Sequence, residues 1–354
     1  MARTVKHFSL HRIAGTELRV VADVEAGVLP LIEVEEAVIR GYTEQGRWPH
    51  RAVTLFILQN LQPLVRQLRP GAALPPGGAS ALEHRPVLNA YDLADLAECH
   101  VFVNQHVMEK EDYWEDALAI RGLLAHEHAH PAAENGTTRA SRSLRLHLSV
   151  EGLRAPAAPQ PAADAEQQAS PDRHKKVRAL LALLGEKLCL YAPRELFANE
   201  VTIRSGFAEA LLHLDRRTMT NAARSVAGRV ELRRQLQQQV SEGTLTAGEA
   251  DVLLLIGDLR GYLDLAIEVA PFRRAGRDGH ARELQGLVES NVLRHLSPEV
   301  PEAYHALMGQ YMDLRAEMTA AELLRWSDAV VNILVGALAS KGATLQYQLH
   351  TLDT

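Results

Sequence analysis

Two histidines and a glutamate near the middle of the chain have the types and the spacing of a hydrolytic metal site. The run His126-Glu127-His128-Ala129-His130 fits the pattern H-E-x-x-H, and residues four apart lie on one face of a helix. His126 and His130 could therefore share one zinc ion. The carboxylate of Glu127 could take a proton from a water whose pKa zinc lowers to about 7. The sequence predicts Zn²⁺ as cofactor and Glu127 as catalytic base.

The same five residues also permit a second geometry. His126, His128 and His130 alternate, so a β-strand would place all three on one face. The preceding run at 118–125, LAIRGLLA, lacks the alternation of a strand and favours a helix. On a helix His128 points away from the metal, and its ordinary role there is that of a surface or packing histidine.

Composition and charge exclude several functional classes. The chain has 354 residues, a net charge of −6 and no dense tract of lysine and arginine, so we expect neither nucleic acid nor a membrane surface as a partner. Its two cysteines are far apart and predict no disulfide framework. The N-terminus lacks the apolar core of a secretion signal. Charges interrupt every long apolar stretch, and we expect a cytoplasmic protein.

Hydrophobic patterns predict an α+β fold with a mixed α/β layer at the N-terminus. Thr16–Val24 and Ala52–Leu58 are typical of strands, and a helix is predicted to begin near Pro30 between them. A further strand is predicted at His100–Met108. A helix should then run from Ala117 to His130, where Pro131 should end it.

The second half of the chain predicts helices almost throughout. We expect an α/β subdomain at 1–152, an Ala/Pro-rich flexible linker at 153–173, and a helical subdomain at 174–354. Before the linker, Glu134–Ser141 is predicted as a loop and Leu144–Val150 as a strand. Later helix starts at Thr246 and Thr319 fit the capping box, and the tail from Thr344 is predicted to be a strand.

The order of strand, short connector and motif helix over residues 100–130 resembles the zincin metallopeptidases. The H-E-x-x-H motif is the specific part of this resemblance. It implies a zincin-like fold in which a strand at the sheet edge binds extended peptide by backbone pairing. The resemblance therefore places Asn104 and His106, on the strand at His100–Met108, among the substrate-binding residues.

A catalytic zinc site needs a third protein ligand. The downstream-histidine pattern H-E-x-x-H-x-x-G-x-x-H fails here, because Ala133 and Gly136 occupy its glycine and histidine positions. On the helix predicted to begin near Pro193, Glu200 falls within an apolar stripe, where a buried carboxylate is costly unless it is paired or binds a metal. Glu200 is therefore the predicted third ligand. The stripe consists of Leu196, Ile203, Phe207 and Leu211.

The pair Asn199-Glu200 also resembles the gluzincins, the zincin branch in which a helical glutamate completes the metal site. In the thermolysin-like pattern an aspartate four residues later orients a ligand histidine, but that position is Arg204 here. A salt bridge from Glu200 to an arginine is the competing interpretation. Other acidic residues are less suited: Glu195 and Glu209 fall outside the stripe, as expected of solvated charges, and Glu134 and Asp215 are secondary alternatives.

The resemblance also suggests donors for the transition state. Tyr191 precedes Glu200 at a spacing similar to that of the tyrosine in thermolysin-like enzymes, and His213 lies later on the same predicted helix. We therefore expect a zinc metallopeptidase that acts on a peptide or protein. A catalytically inactive zincin-like binding or regulatory protein and an α-rich protein with a chance motif, among 16 histidines, are the alternatives. The oligomeric state stays open.

Overall fold

A computed structural model describes residues 4–62, 82–153 and 171–351 of the chain. A five-stranded sheet occupies the N-terminal part, and the C-terminal half is mostly helical. The mixed α/β layer followed by helices was thus correctly predicted. The predicted linker at 153–173 lies almost entirely outside the described residues. No helix in the described ranges is long and apolar enough to span a membrane.

The sheet is mixed, with antiparallel strands at both edges and a parallel centre. Its strands lie in the order β1-β2-β3-β5-β4. β2, β3 and β5 are parallel, whereas β1 and β4 each run antiparallel to their neighbour. The strands predicted near Thr16 and Ala52 are confirmed, and two others had not been predicted, β1 and β4. The five strands are β1 (His7–Ile13), β2 (Thr16–Ala22), β3 (Ala52–Leu58), β4 (Val87–Tyr91) and β5 (Glu98–Asn104).

The strand predicted at His100–Met108 exists but has different ends, and it does not lie at the edge of the sheet. β5 ends at Asn104, and a short helix, α2 (Gln105–Lys110), follows directly. The alternation of apolar residues continues past Asn104, but Val103 and Val107 are also four residues apart and therefore satisfy helical spacing. β5 lies between β3 and β4, so it is an interior strand, and β4 is the outermost strand on that side within the described chain.

Two helices pack with the sheet to form the N-terminal core. The first is α1 (Val28–Glu44), and the second is the motif helix, α3 (Ala117–Ala132). Their apolar residues join those of the strands in one buried cluster. The Tyr42 hydroxyl of α1 donates a 2.7 Å hydrogen bond to the carbonyl of Ala125. The residue just before His126 is therefore tied to a neighbouring helix by a buried polar contact.

Close packing on another side of α3 requires a glycine. A Cβ atom at Gly122 would lie 2.8 Å from the carbonyl oxygen of Ala210. Only a residue without a side chain permits this approach of backbone to backbone. Gly122 is one helical turn before His126, so the contact holds α3 against the segment around Ala210 close to the motif.

α3 does not end at His130 but continues through Pro131 to Ala132. Proline has no N–H, so the carbonyl of Glu127, four residues earlier, lacks its usual helical donor. The side-chain amide of Asn89 on β4 donates to that carbonyl instead. The N–H of Ala133 bonds to the carbonyl of Ala129 at 2.8 Å and closes the helix. The predicted end was therefore two residues early, because a side chain satisfies the group that proline leaves open.

The residues after α3 form helices and a two-stranded sheet. The predicted loop at 134–141 is instead mostly helix, because Asn135 and Thr138 form a capping box. The capping boxes at Thr246 and Thr319 are confirmed, as are the strands near Leu144 and Thr344, which pair antiparallel. These elements are α4 (Gly136–Ser143), β6 (Leu144–Gly152), α5 (Pro171–Glu186), α6 (Ala192–Thr202), α7 (Ala208–Ser241), α8 (Ala247–Tyr262), α9 (Leu265–Arg274), α10 (Asp278–Asn291), α11 (Glu299–Asp313), α12 (Ala320–Ala339) and β7 (Thr344–Thr351).

Two π-helical segments flank α6, at Lys187–Tyr191 and Ile203–Phe207. Gly206 in the second has φ 92° and marks a kink before α7. Each π turn contains more residues than an α turn, so it rotates the following residues relative to a regular 3.6-residue period. All four residues of the predicted apolar stripe are nevertheless buried: Leu196, Ile203, Phe207 and Leu211.

The chain divides into two compact units. Unit 1 is Met1–Glu134 with Phe197–Arg216, and unit 2 is Asn135–Leu196 with Arg217–Thr354. The predicted boundaries near 152 and 174 differ from this division, in which a short later segment belongs with the sheet. Unit 1 contains the five-stranded sheet and α3, whereas unit 2 contains β6, β7 and most of the helices.

Candidate metal centre

α3 places the two motif histidines on one face, as the spacing predicted. The ring centroids of His126 and His130 are 4.7 Å apart, with an interplanar angle of 80°. His130 is buried and His126 is half-buried. Two imidazoles at this separation can direct nitrogen lone pairs toward a common point.

A carboxylate converges with these histidines, and it belongs to Glu195. One ring nitrogen of each histidine and an oxygen of Glu195 all lie within 4.8 Å of one another. Glu195 lies on the continuous helix α6. The residues of that helix from Phe197 onward belong to unit 1, together with the motif histidines. Two imidazoles and one carboxylate are a donor set of catalytic zinc sites. Ligand atoms bound to one tetrahedral zinc are roughly 3.3–3.6 Å apart, a range that lies below the 4.8 Å upper limit on the separations of these three atoms.

Glu200, the predicted third ligand, is not part of this convergence. Its Oε1 atom forms a 2.7 Å ion pair with Arg204, and its side chain is 14% exposed. Five residues on an α-helix correspond to a rotation of about 140° from whole turns. Glu195 and Glu200 therefore point to different sides of α6, and Glu195 replaces Glu200 as the candidate ligand.

Asn199 links α6 directly to a motif histidine. Nδ1 of His126 donates a 2.6 Å hydrogen bond to Oδ1 of Asn199, which is buried. This bond assigns the proton to Nδ1 and leaves Nε2 with a lone pair for a metal. Asn199 lies four residues after Glu195, so the two share a face of α6. α6 thus carries both the candidate ligand Glu195 and the group that orients the candidate ligand His126.

Replacing Asn199 with alanine should weaken zinc binding without removing a ligand. Loss of the bond to His126 frees the ring to rotate and to change tautomer, and such outer partners are worth about 10–100-fold in metal affinity. We expect an increase in the zinc dissociation constant of that size, measured by competition with a chromophoric chelator. Asn199→Asp keeps an acceptor and should restore binding. An unchanged dissociation constant in Asn199→Ala would separate this hydrogen bond from metal binding.

Glu127 is close to both the histidines and the outer strand of the sheet. Its side chain is buried, with 6% relative exposure, and its carbonyl accepts the Asn89 amide. The position directly after His126 is the one that a proton-accepting carboxylate takes in H-E-x-x-H sites. The backbone contact to β4 fixes α3 at this residue.

The structure gives the surroundings of the other predicted site residues, and His213 does not belong to the convergent group. Nε2 of His213 is 2.7 Å from Oδ2 of Asp116, the N-cap of α3, about 15 Å along the helix axis from His126. Tyr191 is half-buried and ends the π segment before α6. The side chain of Asn104 donates to the carbonyl of Glu83 at 3.0 Å and is buried.

The other predicted positions also differ from expectation. His106 is exposed on α2 rather than on a strand, so it does not flank an edge for peptide pairing. The carboxylate of Glu134 accepts a 2.8 Å hydrogen bond from Tyr91. Asp215 is buried but does not belong to the convergent group.

A groove opens beside the outer strand. It has a volume of about 700 Å³. Tyr91, which contributes to its wall, is the residue that bonds Glu134 just beyond the motif. The groove is lined by Ala90, Tyr91, Asp92, Leu93, Asp95, Glu98 and His100.

The opposite face of α3 has its own charged pair in the core. Nε2 of His128 and Oε1 of Glu35 are 2.7 Å apart, and both side chains have no exposure. Burial alone would lower the pKa of His128, but the Glu35 carboxylate outweighs it and raises that pKa to about 10. Burial and the nearby His128 lower the pKa of His50 to about 4. His128 therefore lies in the core, on the face of α3 away from His126 and His130, and is not a surface histidine.

One signal in the sequence could have identified Glu195. Glu195 and Asn199 have the same four-residue spacing that the thermolysin-like pattern has between its ligand glutamate and the residue that orients a histidine. No protein-family model matches this chain, and no curated protein or solved structure does so either.

Proposed function

We propose that the chain is a zinc-dependent peptidase whose metal is held by His126, His130 and Glu195. The observation that carries this proposal is the approach of their three ligand atoms to within 4.8 Å of one another. The hydrogen bond from His126 to Asn199 supports it, because it holds the ring proton on Nδ1 and fixes the orientation of the imidazole. The relation between Glu195 and Asn199 also resembles the gluzincin arrangement, with asparagine where the thermolysin-like pattern has aspartate.

Glu127 provides the proton transfers in this proposal. A bound zinc ion supplies Lewis acidity and makes water a better nucleophile near neutral pH. Glu127 accepts the proton of the attacking water and then donates it to the leaving amine. Its burial shields the carboxylate from bulk solvent, and the bond from Asn89 to its carbonyl holds the helix that carries it.

The outer strand β4 offers a way to align an extended substrate. It is the last strand on its side of the sheet within the described chain, and a strand at an edge can pair with a peptide backbone. Asn89 on this strand contacts Glu127 within the motif, and Tyr91 contacts Glu134 just after it. This role replaces the one predicted for β5, and it favours peptides over small esters as substrates.

Metal removal tests the proposal as a whole. Treatment of the purified protein with 1,10-phenanthroline should abolish hydrolysis of a fluorogenic peptide library, and one equivalent of Zn²⁺ per catalytic site should restore it. The reason is that Glu127 alone cannot activate water sufficiently near neutral pH. A non-chelating phenanthroline isomer provides the control. Hydrolysis that persists after complete zinc removal would contradict the proposal.

A further inference from the structure

A second group of metal-binding side chains lies in the core of unit 1. It consists of His50, Cys99 and His128, whose ligand atoms all lie within 4.8 Å of one another. Their relative exposures are 3%, 1% and 0% respectively. We propose that these residues bind a divalent thiophilic cation such as Zn²⁺, at a structural site distinct from that of His126 and His130.

Each histidine in this group has one ring nitrogen in a hydrogen bond and one ring nitrogen without a hydrogen-bond partner. Nδ1 of His50 donates to the carbonyl of Leu96 at 2.6 Å, and Nε2 of His128 pairs with Glu35 at 2.7 Å. The remaining atoms, Nε2 of His50 and Nδ1 of His128, are buried and have no hydrogen-bond partner. Ligating histidines usually donate their other N–H to a carbonyl or a carboxylate, and these two have one partner of each kind.

The fold brings the three residues together from separate elements. His50 lies just before β3, and Cys99 lies near the start of β5, the parallel neighbour of β3. His128 comes from the face of α3 opposite to His126 and His130. The ring of Trp48 packs against both histidines, with centroid distances of 5.0 Å to His50 and 4.8 Å to His128. The site is therefore enclosed by secondary structure and an aromatic wall.

Charge balance favours a divalent cation. Binding displaces the thiol proton of Cys99 and any proton on Nδ1 of His128, and both protons pass to solvent. The ligand set then carries one negative charge from the thiolate, and Glu35 adds a second beside His128. A divalent cation neutralises both in a core where an uncompensated charge is costly. Thiolate and imidazole are the ligand types that Zn²⁺ prefers.

Without a metal, the same residues would form a hydrogen-bonded relay from Glu35 through His128 and the Cys99 thiol to His50. Such a relay needs both unengaged nitrogens to bond the sulfur. The Cys99 thiol is close enough to His128 to interact with it, but Nε2 of His50 has no hydrogen-bond partner in the described structure. A relay and a metal site differ in one measurable property, namely whether a cation contacts sulfur.

Cobalt substitution measures that contact. Co²⁺ bound to a thiolate gives an intense near-ultraviolet charge-transfer band, and the centre at His126, His130 and Glu195 contains no sulfur. We expect the band in the native protein and its loss in Cys99→Ser. It should persist in Cys189→Ser, which alters the other buried cysteine, and in Glu195→Gln. The result is therefore independent of the proposed peptidase activity.

A measurement on the native protein tests the proposal even if Cys99→Ser fails to fold. The X-ray absorption spectrum of the zinc-loaded protein should contain a sulfur scatterer at about 2.3 Å. Absence of both the cobalt band and the zinc–sulfur scatterer overturns the proposal, as does a band that survives in folded Cys99→Ser. Binding of Cu⁺ but not of Zn²⁺ or Co²⁺ at Cys99 overturns the assignment to a divalent ion.

Discussion

Glu195→Gln should abolish peptide hydrolysis and reduce zinc affinity by at least about 100-fold. The amide is a neutral and poorer ligand than the carboxylate, so the ion loses one of its three protein donors. Loss of a direct ligand should exceed the roughly 10–100-fold effect of an outer hydrogen-bond partner such as Asn199. Zinc content after dialysis against a chelator and turnover of a fluorogenic peptide measure the two effects.

The matched control is the same substitution five residues later. Glu200→Gln removes a carboxylate from the same helix, but that carboxylate pairs with Arg204, whose side chain is 50% exposed. Ion pairs with a solvent-exposed partner contribute about 0–1 kcal/mol, so zinc content and turnover should stay near native values. A protein that loses zinc in Glu200→Gln and keeps it in Glu195→Gln would reverse our assignment of the third ligand.

The contrast between Glu195 and Glu200 shows what a helical period does and does not predict. The four residues of the apolar stripe are all buried, as predicted, namely Leu196, Ile203, Phe207 and Leu211. Glu200 follows Leu196 by four residues and its side chain is only 14% exposed, but it pairs with Arg204, which was the competing interpretation. A helical period predicts which face a carboxylate shares, but the group that it meets there depends on tertiary packing.

Helices and strands with a clear local sequence pattern were predicted better than strands that are defined by pairing with a neighbouring strand. The strand at Ala52 was found with its correct ends, and the motif helix was found because its apolar spacing and N-terminal signals are local. The outer strand β4 has only five residues and is defined by its register with β5, so its own sequence carries little signal. Its contact with the motif, through Asn89, could not have been read from spacing.

The candidate site follows the same rule: its residues on one helix were predicted, and its partners from distant elements were not. His126, Glu127 and His130 come from one helix, where spacing fixes geometry. The partners that complete each face of α3 are Asn199 on one side and Glu35 on the other, 73 and 93 residues from the histidines they contact. Contacts at such separations depend on tertiary packing, which a single sequence does not encode as a visible period.

Glu127→Gln should lower kcat/KM for peptide hydrolysis by about 10²–10⁴-fold while leaving the zinc content unchanged. The substitution keeps the size of the side chain but removes the group that accepts and returns the proton. Because Glu127 is not among the converging ligand atoms, the metal should stay bound. Kinetics on a fluorogenic peptide and zinc analysis of the same preparation measure both quantities, with Glu200→Gln as the control for a lost carboxylate.

The pattern of these variants separates an enzyme from a binding protein. A native protein that retains zinc, binds peptides and hydrolyses none would favour a zincin-like binding role, and Glu127→Gln would then leave peptide affinity unchanged. Hydrolysis that is insensitive to Glu127→Gln but lost in Glu195→Gln would keep the metal and reject Glu127 as the base. Only a peptidase of the proposed type loses turnover in both variants and loses the zinc bound at His126 and His130 in Glu195→Gln alone.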